Sequence, residues 1–196
     1  MLPSYQLSQS VILPDLNVWG TSSGDVLYAG DSHNGLIGST IHGGDGNDTL
    51  YGGAGGDTLF GDNDNDVIVG GAGADVMYGG SGADTFVWNH TSETAGGPVS
   101  HFPPNDLIMD FRASEGDQID LSHLAKEAGV HLSFTGEHDP GKYAAGPGEV
   151  YWENSADGAN FNIFINLHGG THVDGTISVN NYFSLGDHPD AGWFHL

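Results

Sequence analysis

The sequence lacks cysteine and is nearly devoid of positive charge. Its 196 residues include only three basic ones, Arg112, Lys126 and Lys142, against 26 acidic ones, which gives a formal net charge of −23. Without cysteine, the chain can form neither disulfides nor thiolate metal sites. The excess of negative charge opposes binding to nucleic acid and to anionic membranes, because both of these partners are themselves negatively charged.

The amino-terminal segment also lacks the features of a secretion signal. Residues 1–14, MLPSYQLSQSVILP, have no basic start and no sustained apolar run, whereas a cleavable signal has both. No segment approaches the roughly 20 apolar residues that span a bilayer as a helix. We therefore expect no membrane insertion, and we expect any export to use a route that needs no N-terminal signal.

The hydrophobic content indicates that the chain folds in spite of its charge. Hydrophobic residues make up 37% and aromatic residues 10% of the sequence, which is too much apolar surface for a permanently solvated acidic tail. Folding brings the carboxylates together, so a cation has to neutralise them. The side chains supply almost none, and the sequence therefore predicts bound metal.

A nine-residue repeat organises the glycine-rich first half of the chain. Five units follow one another without interruption, at 43–51, 52–60, 61–69, 70–78 and 79–87. Their sixth positions are Asp48, Asp57, Asp66, Asp75 and Asp84, and their eighth positions are Leu50, Leu59, Ile68, Met77 and Phe86. Two looser units precede them, 20–28 with Asp25 and Leu27 and 29–37 with Asn34 and Leu36, and the segment 38–42, GSTIH, is interpreted as a spacer. A linker has no need of an apolar residue at every ninth position.

Each position of the repeat has a physical role in a turn that is followed by a short strand. The glycines permit positive φ and the close approach of neighbouring turns. The last three residues of a unit form a strand triplet whose middle side chain points inward. Two units make one coil, and stacked coils form a right-handed parallel β-roll with an apolar interior. The turns then lie in two columns, one along each edge.

Turns that lie one coil apart are neighbours in a column and can enclose a cation. We expect 43–48 to face 61–66, 52–57 to face 70–75 and 61–66 to face 79–84, while 20–25 and 29–34 would face 43–48 and 52–57. Carboxylate and carbonyl oxygens suit Ca²⁺ better than Mg²⁺, which demands a tighter octahedral cage. The predicted calcium-binding residues are the aspartates and the second and fourth positions of the turns: Asp25, Gly44, Gly46, Asp48, Gly53, Gly55, Asp57, Asp62, Asp64, Asp66, Gly71, Gly73, Asp75, Gly80, Gly82 and Asp84.

The unit 61–69, GDNDNDVIV, departs from the pattern because Asp62 and Asp64 replace two of its glycines. Its backbone has to adopt two positive φ angles without glycine, which aspartate tolerates better than most residues. The two extra carboxylates either add calcium ligands or weaken a site.

The repeats resemble the glycine-rich nonapeptide of RTX proteins. Four of the five strong units keep the full turn pattern glycine–glycine–x–glycine–x–aspartate. The resemblance implies a calcium-binding β-roll that holds several Ca²⁺ ions. It also implies folding outside the cell after export by the type I secretion machinery, which reads an uncleaved C-terminal signal. The final residues, PDAGWFHL, match the tail of that family only loosely.

The residues after the repeat predict an antiparallel β-sandwich-like cap that continues the roll and closes its open end. Short apolar or alternating runs separated by turn residues extend to 177–183, and one short helix is predicted at 121–129, with Ser122 as its N-cap and Gly129 as its end. We accordingly divide the chain into a lead-in strand at 1–19, the roll at 20–88 and the cap, with a candidate secretion signal, at 89–196.

The segment 83–122 resembles the block that follows RTX repeats in serralysin-type proteases, in mannuronan C5-epimerase repeat modules and in RTX adhesins. By that resemblance Asp106 ligates a further Ca²⁺, with Asp110 and Asp117 as helpers. The alternative interpretation is that these aspartates cap turns between strands.

No arrangement of residues that indicates catalysis is present in the sequence. It contains no HExxH helix, no G-x-S-x-G elbow and no phosphate loop with its lysine, and the pair of histidines in HGGTH, 168–172, is interpreted as a surface loop. We expect a non-catalytic, calcium-folded module of an exported protein. Two alternatives are a calcium-dependent module that binds an alginate-like polysaccharide for a secreted epimerase or other enzyme, and the C-terminal region of a surface adhesin.

Overall fold

The computed structural model describes residues 17–29, 38–89, 106–137, 147–156, 158–168, 174–180 and 188–196. The repeat region forms strands β1 (Asn17–Trp19), β2 (Val26–Tyr28), β3 (Thr40–Asp45), β4 (Thr49–Ala54), β5 (Thr58–Asn63), β6 (Val67–Ala72), β7 (Val76–Ser81) and β8 (Thr85–Val87). The following region forms β9 (Asp106–Ile108), β10 (Gln118–Asp120), α1 (Ser122–Ala128), β11 (Ser133–Glu137), β12 (Glu149–Asn154), β13 (Asn160–Asn166), β14 (Gly175–Asn180), a 3₁₀ turn (Ala191–Trp193) and β15 (Phe194–His195).

The repeat folds into two parallel sheets that alternate along the chain. Odd-numbered strands β1, β3, β5 and β7 form one sheet, and even-numbered strands β2, β4, β6 and β8 form the other. The eighth-position side chains Leu50, Leu59, Ile68, Met77 and Phe86 are all buried between them. Burying a side chain of this size contributes roughly 1.5–3 kcal/mol, so the apolar column holds the coils together. The predicted parallel β-roll is confirmed.

The register of the strands corrects the prediction of a spacer at 38–42. Thr40 pairs with Thr58 and Ile41 with Leu59, so residues 38–42 belong to a regular unit, with Ser39 at its sixth position and buried Ile41 at its eighth. The chain instead gains its five extra residues before this unit, because Val26 pairs with Thr49, 23 residues away. The prediction failed because it required an aspartate at the sixth position. Leu36 and the predicted turn 29–34 lie largely outside the described residues.

The cap extends both sheets of the roll. β9 pairs in parallel with β7 and β14, while β10 pairs in parallel with β8 and β15. Antiparallel pairing joins β12, β13 and β14, and β11 returns to parallel pairing beside β12. The cap is therefore mixed, because its first strands repeat the parallel stacking of the coils before the antiparallel strands begin.

Helix α1 is shorter than the predicted 121–129 and begins differently. Leu121 occupies the N-cap position without a side-chain hydrogen bond, so the prediction of Ser122 as N-cap is wrong. The Ser122 N–H donates instead to Asp120 Oδ1, at 2.8 Å. Gly129 ends the helix as predicted, in the left-handed region with φ of 68°, where glycine carries no Cβ penalty.

Candidate calcium sites

The sixth-position aspartates form a continuous ladder along each edge of the roll. On one edge the Asp25 N–H donates to Asp48 Oδ1 at 2.7 Å, the Asp48 N–H to Asp66 Oδ1 at 2.8 Å, and the Asp66 N–H to Asp84 Oδ1 at 2.9 Å. Each aspartate thus ties its own turn to the turn one coil before it. The structure confirms the predicted neighbours on this edge. Turn 20–25 faces 43–48, turn 43–48 faces 61–66, and turn 61–66 faces 79–84.

The other edge carries an equivalent ladder. The Ser39 N–H donates to Asp57 Oδ1 at 2.6 Å, and the Asp57 N–H donates to Asp75 Oδ1 at 2.7 Å. Both aspartates are buried. Because Ser39 replaces an aspartate, this edge starts on a residue that offers its backbone N–H but no carboxylate.

Three buried aspartates on one edge, Asp48, Asp66 and Asp84, have a second carboxylate oxygen without a hydrogen-bond partner. The Oδ2 atoms of Asp48, Asp66 and Asp84 are buried and accept no hydrogen bond, and each of these side chains is 1% exposed. An unsatisfied buried polar atom is costly, and an ionised one more so. The chemistry of these oxygens therefore fits a cation, and Ca²⁺ takes carboxylate and carbonyl ligands.

Backbone carbonyl oxygens of the next turn converge on the same points. A Cβ placed on Gly43 would lie 2.5 Å from both Asp48 Oδ2 and the carbonyl oxygen of Gly61, so no side chain fits between these oxygens. Within the described parts of the chain, no three acidic or histidine side chains converge on a single metal position. The carbonyl oxygen of Gly61 and the Oδ2 atom of Asp48 are therefore available together to an ion at this point of the edge.

The second and fourth turn positions adopt the predicted positive φ. This holds for Gly44, Gly46, Gly53, Gly55, Gly71, Gly73, Gly80 and Gly82, and for Asp62 and Asp64, with φ of 77° and 73°. The extra carboxylates bind within the protein: Asp62 Oδ2 lies 3.3 Å from His42 Nδ1, and Asp64 Oδ2 accepts the Gly46 N–H at 3.1 Å. Both aspartates thus stabilise the contact between turns 43–48 and 61–66.

The electrostatics of the ladder oppose its ionised form. Burial, as the largest cause, and neighbouring carboxylates together raise the pKa of Asp66 from 3.8 to about 7, against the lowering effect of the Asp48 N–H. Burial likewise raises the pKa of Asp48 and of Asp84 to about 6. Near neutral pH the folded roll therefore carries carboxylates that a bound cation would stabilise.

At the ends of the ladders, protein donors satisfy the second carboxylate oxygen. Thr21 donates to Asp25 Oδ2 from its N–H at 2.7 Å and from its hydroxyl at 2.8 Å. The indole N–H of Trp88 donates to Asp106 Oδ2 at 2.8 Å. The Arg112 N–H donates to Asp117 Oδ2, also at 2.7 Å. Sequence reasoning missed these three donors, because Trp88 and Arg112 lie outside the repeat units and Thr21 stands at a turn position where the pattern has glycine.

The two helper aspartates of the cap dock on the last repeat turn. Asp117 Oδ1 accepts the Asp84 N–H at 3.0 Å, which places Asp117 on the next rung of the ladder. Asp110 accepts the Gly79 and Gly80 N–H groups at 2.8 and 3.0 Å. Arg112 reaches the same turn, where its guanidinium donates to the Gly80 carbonyl at 2.6 Å. All three cap residues thus make the hydrogen bonds that hold the cap to the turn 79–84.

The remaining candidates show no comparable arrangement. His168 Nδ1 lies 2.8 Å from Asp174 Oδ1, while the second histidine of HGGTH, His172, lies outside the described residues. Among the residues that the structure describes, no helix is long and apolar enough to span a membrane.

A comparison with protein families identifies the same nine-residue repeat. A family model for the RTX calcium-binding nonapeptide repeat (four copies) matches residues 19–59, 35–68 and 51–86. No curated protein sequence matches the chain. Among solved structures, the chain is similar to the AlgE6R3 subunit of the Azotobacter vinelandii mannuronan C5-epimerase, with 26% identity, a TM-score of 0.48, and coverage of 94% of this chain and 81% of that one.

A second similar structure is the AlgE6R2 subunit of the same epimerase. It has 26% identity and a TM-score of 0.43, with coverage of 93% of this chain and 91% of that one. The family match covers the repeat aspartates of both ladders, from Asp25 to Asp84. Residues 19–86 therefore match the RTX calcium-binding nonapeptide repeat, and they fold here as a parallel β-roll.

Proposed function

We propose that this chain is a calcium-dependent folding module of an exported protein. The observation that carries the proposal is the set of buried carboxylate oxygens at Asp48, Asp66 and Asp84 that have no hydrogen-bond partner. Asp57 and Asp75 occupy the equivalent rungs of the other edge. The residues that would hold the ions are these aspartates together with the backbone of the turns, including Gly44, Gly46, Gly53 and Gly55.

Charge balance explains why the fold would depend on the metal. The chain has 26 acidic and three basic residues, so folding without a cation concentrates negative charge on two narrow edges. The glycine-rich turns also lose much conformational entropy when they become ordered. A bound Ca²⁺ supplies the missing positive charge, and its binding free energy becomes folding free energy because the unfolded chain has no preformed site.

The same dependence suits export. Extracellular calcium modules have dissociation constants of about 10⁻⁴–10⁻³ M, far above the free calcium of a cytosol. The chain would then stay unfolded before export and fold outside the cell. We propose type I secretion as the route, supported by the RTX repeats and by the predicted dependence of folding on calcium.

Circular dichroism tests the folding proposal. Chelator-treated protein is titrated with Ca²⁺ up to about 10 mM, which spans this affinity class, and a parallel titration uses Mg²⁺. We expect a cooperative gain of β signal with Ca²⁺ and little gain with Mg²⁺. Identical spectra with chelator and with Ca²⁺ would refute the proposal.

A second candidate function, binding of a neutral glycan, is favoured by an aromatic row on the outer face of the roll. Trp19, His42, Phe60 and Tyr78 stack in sequence with ring centroids 4.0, 4.4 and 4.6 Å apart, and Trp19 is 65% exposed. Flat aromatic rings pack well against the apolar faces of sugars, whereas the net charge of −23 opposes an anionic polyuronate such as alginate.

A glycan array probed with Ca²⁺ present tests this second function. We expect wild-type protein to bind neutral oligosaccharides and W19A to lose that binding, while Y28A, altered in the tyrosine pair of the opposite sheet, retains it. Absence of binding to any neutral glycan by folded protein would refute it.

A further inference from the structure

We propose that the ladder containing Asp57 and Asp75 is closed at its cap end by the indole N–H of Trp88, which replaces a calcium ion at Asp106. The inference rests on the proposed function, because it defines where the calcium sites of that function end. Asp106 then acts as a hydrogen-bond acceptor that stabilises the fold. The resemblance of segment 83–122 to the block that follows RTX repeats had instead predicted that Asp106 ligates calcium.

Asp106 stands on the same ladder as the repeat aspartates. Its Oδ1 accepts the Asp75 N–H at 3.0 Å, just as Asp75 Oδ1 accepts the Asp57 N–H at 2.7 Å. The chain leaves the roll after β8 and returns at β9 to place a carboxylate on the next rung. By position alone, Asp106 would therefore hold metal as an interior aspartate does.

The other oxygen of Asp106 distinguishes it from the interior aspartates. Trp88 Nε1 donates to Asp106 Oδ2 at 2.8 Å, and both side chains are buried. The corresponding atoms of Asp48, Asp66 and Asp84 accept no hydrogen bond. The indole hydrogen carries partial positive charge and occupies the side of the oxygen where a cation would bind, so it both satisfies the carboxylate and opposes an ion.

The neighbour of Asp106 on its far side offers no site for an ion. In the interior of the roll that neighbour is another glycine-rich turn with carbonyl oxygens. Here it is strand β14, in which Ile177 pairs with Asp106 and is fully buried. β14 therefore presents a buried apolar strand to Asp106 in place of a repeat turn, and a neutral donor closes the ladder there.

The other edge is closed by the same kind of contact. Thr21 donates to Asp25 Oδ2, and the Arg112 N–H donates to Asp117 Oδ2. The three end aspartates thus each receive a protein donor at the oxygen that remains without one in the interior. The donor, rather than the presence of an aspartate, separates the end positions from the calcium-binding positions.

The deciding experiment is a crystal structure of the full chain grown in calcium chloride, with an anomalous difference map. We expect calcium peaks about 2.3–2.6 Å from interior carboxylate oxygens such as those of Asp48 and Asp66, and no peak at that distance from Asp106. A peak on either Asp106 oxygen overturns the inference and leaves the proposed function standing. No peak anywhere overturns the proposed function, and the inference falls with it.

Variants give a second readout in solution. W88F removes the N–H donor and keeps an aromatic ring, and W193F removes the same atoms from another buried tryptophan. We expect W88F to lower the folding equilibrium constant about tenfold or more at fixed calcium, as for loss of a hydrogen bond to a charged group. The decrease is expected to be larger than the decrease caused by W193F. Equal effects of the two variants would contradict the closing role of Trp88.

Calorimetric titration then separates ligand from acceptor. D106N is expected to bind as many calcium ions as the wild type, whereas D66N is expected to lose one. Loss of an ion by folded D106N would overturn the inference.

Discussion

Replacement of Asp66 by asparagine is expected to stabilise the roll without calcium and to reduce the additional stability that calcium gives. Asp66 is 1% exposed, and burial raises its pKa from 3.8 to about 7. Asparagine keeps an oxygen that can accept the Asp48 N–H, which Asp66 Oδ1 accepts at 2.8 Å, but it carries no charge. The substitution therefore isolates the charge of the carboxylate from its hydrogen bond.

Without calcium, the charge is a cost that the substitution removes. A pKa raised by about three units means that the fold disfavours the ionised carboxylate by ~4 kcal/mol at pH 8. We take this value as the upper limit of the increase in the free energy of unfolding that D66N produces in chelator. With calcium, the variant loses a ligand. For a dissociation constant of about 10⁻⁴–10⁻³ M, one ion at about 10 mM contributes about 1.4–2.7 kcal/mol. The rise in melting temperature on adding calcium is therefore expected to be about 3–11 °C smaller for D66N than for the wild type in a chain of this length.

The assay is thermal melting followed by circular dichroism in two buffers at pH 8. One buffer contains about 10 mM Ca²⁺, which lies above the dissociation constants of this class of site. The other contains a chelator and an osmolyte, which favours the compact state because it is excluded from the protein surface. D45N is the matched control, since Asp45 is an exposed acidic residue on the same edge. Destabilisation by D66N in chelator, a calcium-induced rise in its melting temperature as large as that of the wild type, or an equal response of D45N, would refute the reasoning.

The other predictions concern the core and the pH dependence. I68A removes a fully buried side chain at the centre of β6 and is expected to cost about 2–5 kcal/mol in urea unfolding with calcium present; V67A, on the outer face of the same strand, is the control, and a similar loss in both would contradict the inward orientation. In chelator with the same osmolyte, stability is expected to rise as the pH falls from 8 to 4. The pKa values of Asp48, Asp66 and Asp84 are raised from 3.8 to about 6–7 in the folded state. The stabilisation by protonation is therefore complete below about pH 4 and is lost as the pH rises through 6–7. A melting temperature that rises with pH in chelator would refute it.

Much of the roll could be predicted from the sequence because the repeat constrains every level of structure at once. The nine-residue period predicted where the strands begin, the inward residues such as Leu50 and Leu59, and the facing of turns one coil apart. The predicted strand triplets were too short, because strands such as β4 continue for six residues, into the glycines of the next unit. The same period led to the error at Ser39, because a serine at the sixth position hides a regular unit when aspartate is the marker. Strand pairing corrects it, since Ile41 lies beside Leu59.

The ends of the ladders could not be predicted in the same way. Trp88 and Asp106 are separated by 18 residues of chain, and their contact depends on how the cap returns to the roll. The same holds for Arg112, which reaches the turn 79–84 from the cap. A local pattern identifies carboxylates that can bind metal, but the donors that satisfy them come from tertiary structure.

The most direct test of the central claim is small-angle X-ray scattering of the full chain in chelator and in Ca²⁺. A folded chain of this length has a radius of gyration near 16 Å, somewhat more for an elongated roll, and an unfolded one approaches about 47 Å. We predict a value close to the folded one with Ca²⁺ and a large increase toward the unfolded one in chelator. A radius of gyration that is the same and compact in both solutions would contradict calcium-dependent folding.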